Sequence, residues 1–148
     1  MDDLSPGSST ETKTFPGRFE YLAQIADFVT RAARSAGLDP AAVYAVEMAV
    51  DEACANIIQH AYGGEGKGDI ECTCQIGTDE LKVTLRDDGS PFDPSRVPEP
   101  DVNAPLEERD EGGLGLFLMH QVMDEVHFEF SSDSGNTLTL VKGKETVS

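Results

Sequence analysis

Tryptophan is absent from this sequence, and aromatic residues make up only 7% of it. A hydrophobic core must therefore be built mainly from Val, Leu, Ile and Ala. Hydrophobic residues still reach 39% of the 148 residues. That is enough for one domain, which at this length buries roughly 70% of its unfolded surface.

Basic residues are also scarce: 11 Lys and Arg stand against 28 Asp and Glu, giving a formal net charge of −17. This balance argues against direct nucleic-acid binding, in which Lys and Arg neutralise phosphates, and against binding to an anionic membrane. A nucleotide site in so acidic a chain would need Mg²⁺ between protein and phosphates. The charge is explained equally well by solubility alone or by attraction of a basic protein partner.

Long apolar runs are missing as well, since no segment approaches the ~20 apolar residues that span a bilayer. Residues 1–14 are polar and lack the apolar segment of a signal peptide. Cys54, Cys72 and Cys74 are an odd number without a disulfide framework. These features predict a cytoplasmic protein. Because no further ligands stand near Cys72-x-Cys74, buried thiols are favoured over a metal site there.

Hydrophobic periodicity and turn residues predict a flexible tail at 1–11 and one domain at 12–148. The predicted order is an edge strand 12–16, helices 18–36 and 40–62, strands 69–77 and 81–87, a lid at about 90–111, a helix 113–123, and strands 125–131 and 136–142. The lid is rich in proline and acids without periodicity, which indicates a functional loop or disorder. This order predicts a two-layer α/β sandwich whose mixed, mostly antiparallel sheet carries helices on one face.

The second predicted helix carries Glu52 and Asn56 at the border of an apolar stripe. Their i, i+4 spacing places their Cβ atoms about 5–6 Å apart. Asn is a poor helix former, but its amide oxygen is a suitable ligand for Mg²⁺. Glu52 has the chemistry of a general base. When the pair is taken alone, a solvated helix edge is the favoured interpretation of both residues.

Asp87-Asp88-Gly89 ends an alternating strand pattern. A carboxylate at a buried strand end can accept a hydrogen bond from an exocyclic amine, so Asp87 would select adenine over guanine. Gly89 would let the backbone approach the ring closely. An ordinary Asp-Asp-Gly turn is the alternative interpretation.

Glycines open the third predicted helix, in Gly112-Gly113-Leu114-Gly115-Leu116. Each costs about 1 kcal/mol in a helix, so their presence needs a reason. A glycine-rich turn at a helix N-terminus exposes backbone N–H groups to an anion such as phosphate. A flexible hinge at the end of the lid is the alternative. The block is not a P-loop, because no Gly-Lys-Ser/Thr follows.

Taken together, these blocks resemble the GHKL (Bergerat-fold) ATPases, over about residues 12–142. Glu52-x-x-x-Asn56 resembles their N box, Asp87-x-Gly89 their G1 box and Gly113-x-Gly115 their G2 box. Residues 51–62, 87–94 and 111–116 are more narrowly similar to the bacterial anti-sigma factor serine/threonine kinases. Pro91 stands where histidine kinases usually carry a second glycine, which favours the anti-sigma branch.

The resemblance implies ATP and Mg²⁺ as cofactors and a role for each matching residue. Glu52 would be the general base and Asn56 would hold Mg²⁺. The nucleotide would be bound by the remaining residues: Asp87 and Gly89 at adenine, Thr137 in support of the adenine site, Gly113, Leu114 and Gly115 at the phosphates, and Arg109, with Arg96 as its rival, at the γ-phosphate.

The implied function is an anti-sigma factor that is also a serine/threonine kinase. It would phosphorylate a small antagonist protein while sequestering a sigma factor, and it would form a homodimer. Two alternatives remain open. One is an ATP-binding regulatory module without phosphotransfer. The other is the stand-alone ATP-binding half of a two-component system, which would require a separate histidine-bearing partner.

Overall fold

The computed structural model describes residues 9–91, 111–131 and 133–144. Its elements, in chain order, are β1 (Ser9–Pro16), a 3₁₀ turn (Phe19–Tyr21), α1 (Leu22–Ser35), α2 (Pro40–Asn56), a π turn (Ile57–Ala61), β2 (Asp69–Ile76), β3 (Glu80–Asp87), α3 (Glu111–Val122), β4 (Glu125–Ser131) and β5 (Gly135–Gly143). The predicted order of strands and helices is confirmed. The predicted lid lies almost wholly outside the described residues.

The five strands form one sheet in the order β1-β2-β3-β5-β4. Inward-facing residues of β2 and β3 alternate with more exposed ones, as expected of a sheet whose one face packs against helices. The two-layer α/β architecture is therefore confirmed. The sheet was predicted to be mixed but mostly antiparallel, and all four described strand pairings are antiparallel.

The edge strand β1 begins at Ser9, three residues earlier than predicted, and pairs with the whole of β2. Residues 9–11 therefore belong to the sheet and not to a flexible tail. Almost every side chain of β1 is exposed, and Phe15 alone among its eight residues is buried. A strand with so little buried surface has no hydrophobic alternation by which its start could be recognised.

Local signals end α1 and begin α2 close to where the sequence predicted. Gly37 has φ +85° at the end of α1, and the Gly37 and Leu38 N–H groups donate to the Arg34 and Ala33 carbonyls. This is a Schellman motif, which favours glycine at that position. The next helix begins with Asp39 at the N-cap and Pro40 at the first helical position.

The regular part of α2 ends at Asn56 and continues as the π turn to Ala61. The Tyr62 N–H donates to the Ile57 carbonyl over 2.9 Å, the wider i→i−5 pattern. Gly63 and Gly64, both with positive φ, then end the helical segment as predicted. The chain leaves the helix with Tyr62 turned toward the ends of β2 and β3, where it makes the contacts described below.

The core lies between the sheet and α1, α2 and α3. The predicted apolar stripe of α2 is buried along its length: Val43, Val46, Val50, Ala53 and Ile57. The three cysteines are buried free thiols, and burial raises the pKa of Cys54. In the described residues no three His, Cys, Asp or Glu side chains are grouped to hold a metal ion. No helix among them is long and apolar enough to cross a membrane.

Candidate functional site

A pocket that is open to solvent at its mouth lies between α2, α3 and the β4–β5 pair. Its lining is mostly apolar with a few convergent polar groups, which is typical of small-molecule sites. Its apolar walls come from Ala53, Ile57, Ala61, Met119, Phe128 and Leu138. Its polar lining comes from Asn56, Asp87, Glu129, Asn136 and Thr137.

Asp87 is the buried acid of this pocket, with only 4% of its surface exposed at the end of β3. Its Oδ1 accepts hydrogen bonds from the Gly89 N–H and from Asn136 Nδ2, each over 2.9 Å. Burial raises the pKa of Asp87, while these two hydrogen bonds oppose the rise. A carboxyl group kept in a cleft against its desolvation cost is a candidate ligand-binding group.

Asn136 is the residue that holds Asp87, and the sequence did not identify it. The two residues are register partners on β3 and β5. The resemblance had pointed to Thr137 as the supporting residue, and Thr137 does line the pocket. Thr137 is the register partner of Arg86, so it does not lie opposite Asp87 as Asn136 does.

The Asp87–Ser90 loop fits closely against the end of the α2 segment. The Ser90 N–H donates to the Ala61 carbonyl over 2.8 Å. A Cβ at Gly89 would overlap that same carbonyl. Gly89 is therefore required by the approach of two backbone segments, a reason that adds to the predicted approach of a ligand ring.

Tyr62 also joins the end of the α2 segment to this loop, and in addition to the start of β2. Its hydroxyl donates to the Asp69 carbonyl over 2.6 Å and accepts from the Asp88 N–H over 3.0 Å. The ring lies where Gly68 leaves space, since a Cβ at Gly68 would overlap it. No sequence pattern pointed to this role, because the contacts join residues up to 26 positions apart.

Asn56 and Glu52 lie one turn apart on α2, as predicted. Asn56 lines the pocket, and Glu52 is half-buried one turn earlier. The structure thus brings Asn56 and Asp87 to one pocket from two elements. A single amide oxygen beside an open pocket suits a Mg²⁺ ion that draws most of its ligands from phosphates and water.

The glycine block lies inside α3, which begins at Glu111 and not at the predicted Gly113. Gly113 thus lies in the first turn of a helix, where backbone N–H groups have no partner within the helix, and Leu114 and Gly115 follow directly. Met119 of the same helix reaches the pocket wall. Arg96 and Arg109 lie outside the described residues, so their predicted roles stay predictions.

Comparison with known proteins gives a consistent result. The histidine kinase-like ATPase domain matches residues 15–142. Serine-protein kinase RsbW of Bacillus cereus strain B4264 is 34% identical over 131 residues, which cover 86% of this chain and 80% of that protein. RsbW of Bacillus mycoides strain KBAB4 is 33% identical over the same shares of both chains. RsbW of Bacillus velezensis strain DSM 23117 is 37% identical over 101 residues, which cover 66% and 62%.

Proposed function

The chain belongs to the histidine kinase-like ATPase domain family, and from that premise we propose that it is an ATP-dependent protein serine/threonine kinase. Its substrate would be a small anti-sigma-factor antagonist, and it would itself sequester a sigma factor. The observation that carries the proposal is the pocket in which the buried Asp87 and the α2 residue Asn56 meet.

Adenine recognition would rest on Asp87. An ionised carboxylate only accepts hydrogen bonds, and adenine presents an exocyclic amine where guanine presents a carbonyl. The apolar walls would contact the faces of the base. Gly113, Leu114 and Gly115 would offer backbone N–H groups of α3 to the phosphates. Arg109, or its rival Arg96, would contact the γ-phosphate.

Helix α2 would supply the residues that act where the phosphoryl group is transferred. Asn56 would hold Mg²⁺, which neutralises phosphate charge when bound. Glu52, one turn earlier, would accept the proton of the substrate Ser or Thr hydroxyl and orient it for attack. Most of the rate would come from positioning and charge neutralisation, because phosphoryl transfer requires little covalent chemistry from the protein.

A protein substrate is supported by the names of the relatives, and a basic partner is supported by the charge. The similar Bacillus proteins are named as serine-protein kinases. A formal net charge of −17 would attract a basic face of a sigma factor. The homodimer remains part of the proposal and can be read from the mass of the chain in solution.

Nucleotide binding is tested first, by thermal shift of the full chain with Mg·ATP, Mg·ADP and Mg·GTP. A site filled at 100 times its Kd adds about 2.7 kcal/mol to the free energy of unfolding. We expect both adenine nucleotides to raise the melting temperature and GTP to leave it nearly unchanged. Equal shifts with ATP and GTP would remove the role given to Asp87.

Phosphotransfer is tested with labelled ATP and candidate antagonist proteins. We expect Glu52→Ala to retain ATP binding and lose transfer, whereas Glu47→Ala, which removes an exposed carboxylate of the same helix, retains both. Acid-stable label on the antagonist supports a serine or threonine kinase, and acid-labile label would favour the two-component alternative. ATP binding without transfer to any antagonist would favour the regulatory module.

A further inference from the structure

Lys142 is a buried charged residue for which the sequence motifs gave no role. Along β5 every second position is buried on the side of the helices, and these positions hold Asn136, Leu138, Leu140 and then Lys142. Lys142 therefore stands where the pattern favours an apolar residue, and only 6% of its surface is exposed. Burial of an ammonium group is costly unless close partners compensate for the lost water.

The partners of Lys142 lie at the C-terminal end of α3, where the helix dipole also favours a cation. Its Nζ donates to the Val122 carbonyl over 2.8 Å and lies 3.8 Å from Asp124 Oδ1. Asp124 Oδ2 accepts from the Gly143 N–H over 2.7 Å, and the Asp124 N–H donates to the Val141 carbonyl over 2.9 Å. These five residues, here called the β5–α3 junction, hold the last turn of α3 against the end of β5.

Helix α3 carries two parts of the proposed nucleotide site. Met119, one turn before the junction, forms part of the pocket wall. Gly113 and Gly115 lie at the other end of the helix, where backbone N–H groups would bind the phosphates. The helix between Gly115 and Val122 is about 10 Å long. A helix this short moves as one body, so a shift at the junction would displace its phosphate-binding end.

We propose that Lys142 is a positioning residue for the phosphates of the nucleotide, because its ammonium group holds α3 where the first turn of the helix can bind them. This inference rests on the proposed function. Asp87 and Gly89, which would bind adenine, are held instead by Asn136 and by the end of the α2 segment. Loss of the junction should therefore weaken binding of ATP more than binding of adenosine.

The test compares the Kd for Mg·ATP, measured by calorimetry, with the Kd for adenosine, measured by competition against Mg·ATP. Both are measured on the full chain at neutral pH. Partial unfolding raises the two apparent Kd values by the same factor and leaves their ratio unchanged. A role of Lys142 in stability alone would therefore not move this ratio.

Lys142→Met removes the ammonium group and keeps an unbranched apolar side chain. We expect its Kd for Mg·ATP to rise about tenfold, the size of effect that follows when one hydrogen bond to a charged group is lost. Its Kd for adenosine should stay within about twofold of the wild-type value, which is less than the loss of one such bond.

Two further variants separate the position of α3 from the effect of charge. Lys82→Met removes the same charge from β3, where Lys82 alternates with the buried Leu81 and Val83, and its ratio should equal that of the wild type. Asp124→Ala breaks the junction from its other side but removes a negative charge, so electrostatics alone would tighten ATP binding. A selective rise in the Kd for Mg·ATP in Asp124→Ala would therefore report the position of α3.

The outcomes distinguish this inference from the function on which it rests. If the wild type binds both ligands and Lys142→Met keeps the wild-type ratio, the role of Lys142 is refuted and the nucleotide site stands. An equal change of ratio in Lys82→Met would assign the effect to charge and also refute the role. If the wild type binds no ATP, the proposed function fails as well. Should Lys142→Met fail to fold, Asp124→Ala decides, and a wild-type ratio there refutes the role.

Discussion

Replacing Tyr62 with Phe tests whether the junction between α2 and the Asp87–Ser90 loop is held by one hydroxyl group. The substitution keeps the ring that packs beside Gly68. It removes the hydrogen bond to the Asp69 carbonyl at 2.6 Å and the one from the Asp88 N–H at 3.0 Å. No other side-chain volume changes, so the measured difference reports these two bonds.

Each such bond contributes about 0.5–1.5 kcal/mol net, giving about 1–3 kcal/mol for the pair. Asp69 and Asp88 are both exposed, so water can replace the lost hydroxyl in part and the lower half of that range applies. For a domain of this size, about 1–2 kcal/mol corresponds to a melting temperature lower by roughly 2–8 °C.

Thermal and urea denaturation of Tyr62→Phe and Tyr44→Phe provide the comparison. Tyr44 lies on α2 with 65% of its surface exposed, so its hydroxyl should contribute little. A melting temperature for Tyr62→Phe within about 1 °C of that for Tyr44→Phe would refute the argument. Loss of a hydroxyl that bridges two backbone groups should lower the melting temperature by more than this.

Three further outcomes are expected. Gly89→Ala should lower the free energy of unfolding by about 1–3 kcal/mol in urea titration, because its Cβ overlaps the Ala61 carbonyl; an unchanged midpoint would contradict that contact. Lys142→Met should lower it by about 1–2 kcal/mol, because the buried Nζ donates to the last carbonyl of α3 over 2.8 Å; a neutral result in the same titration would show that this bond contributes nothing. Asp87→Asn should abolish ATP binding in calorimetry yet stabilise the nucleotide-free chain at pH 7, because the raised pKa of Asp87 means that its ionised form opposes folding above that pKa. This gain should vanish as the pH falls through the folded-state pKa toward the usual aspartate range near about 4, and a gain that grows with acidity would reverse the assigned sign.

Most of the fold could be predicted because its signals are local. The α2 stripe, the Schellman glycine Gly37 and the Asp39-Pro40 helix start each depend on residues within a few positions of one another. The start of β1 could not be predicted in this way. Its polar side chains show no hydrophobic alternation. Its position is set by pairing with β2, which lies about sixty residues later in the chain.

In the candidate site, too, the residues with local sequence signals were predicted and those that depend on distant contacts were not. The positions of Asn56 and Asp87 at one pocket followed from their motifs, and the structure brings them together. Asn136 and Tyr62 were missed because their importance arises from register and from contacts 49 and 26 residues apart. A sequence gives the composition of each strand, but strand register across a crossover depends on the assembled sheet.

The strand order has a consequence for how the protein is made. β5 is the last described strand along the chain, yet it lies between β3 and β4 and pairs with both. During synthesis, before β5 has been made, β3 and β4 each have an unpaired edge on the side that β5 will occupy. Synthesis must continue 49 residues beyond Asp87 before Asn136 exists to hold it. A growing chain is therefore exposed to wrong strand pairing, and to capture by chaperones, until the same strand closes the sheet and completes the pocket.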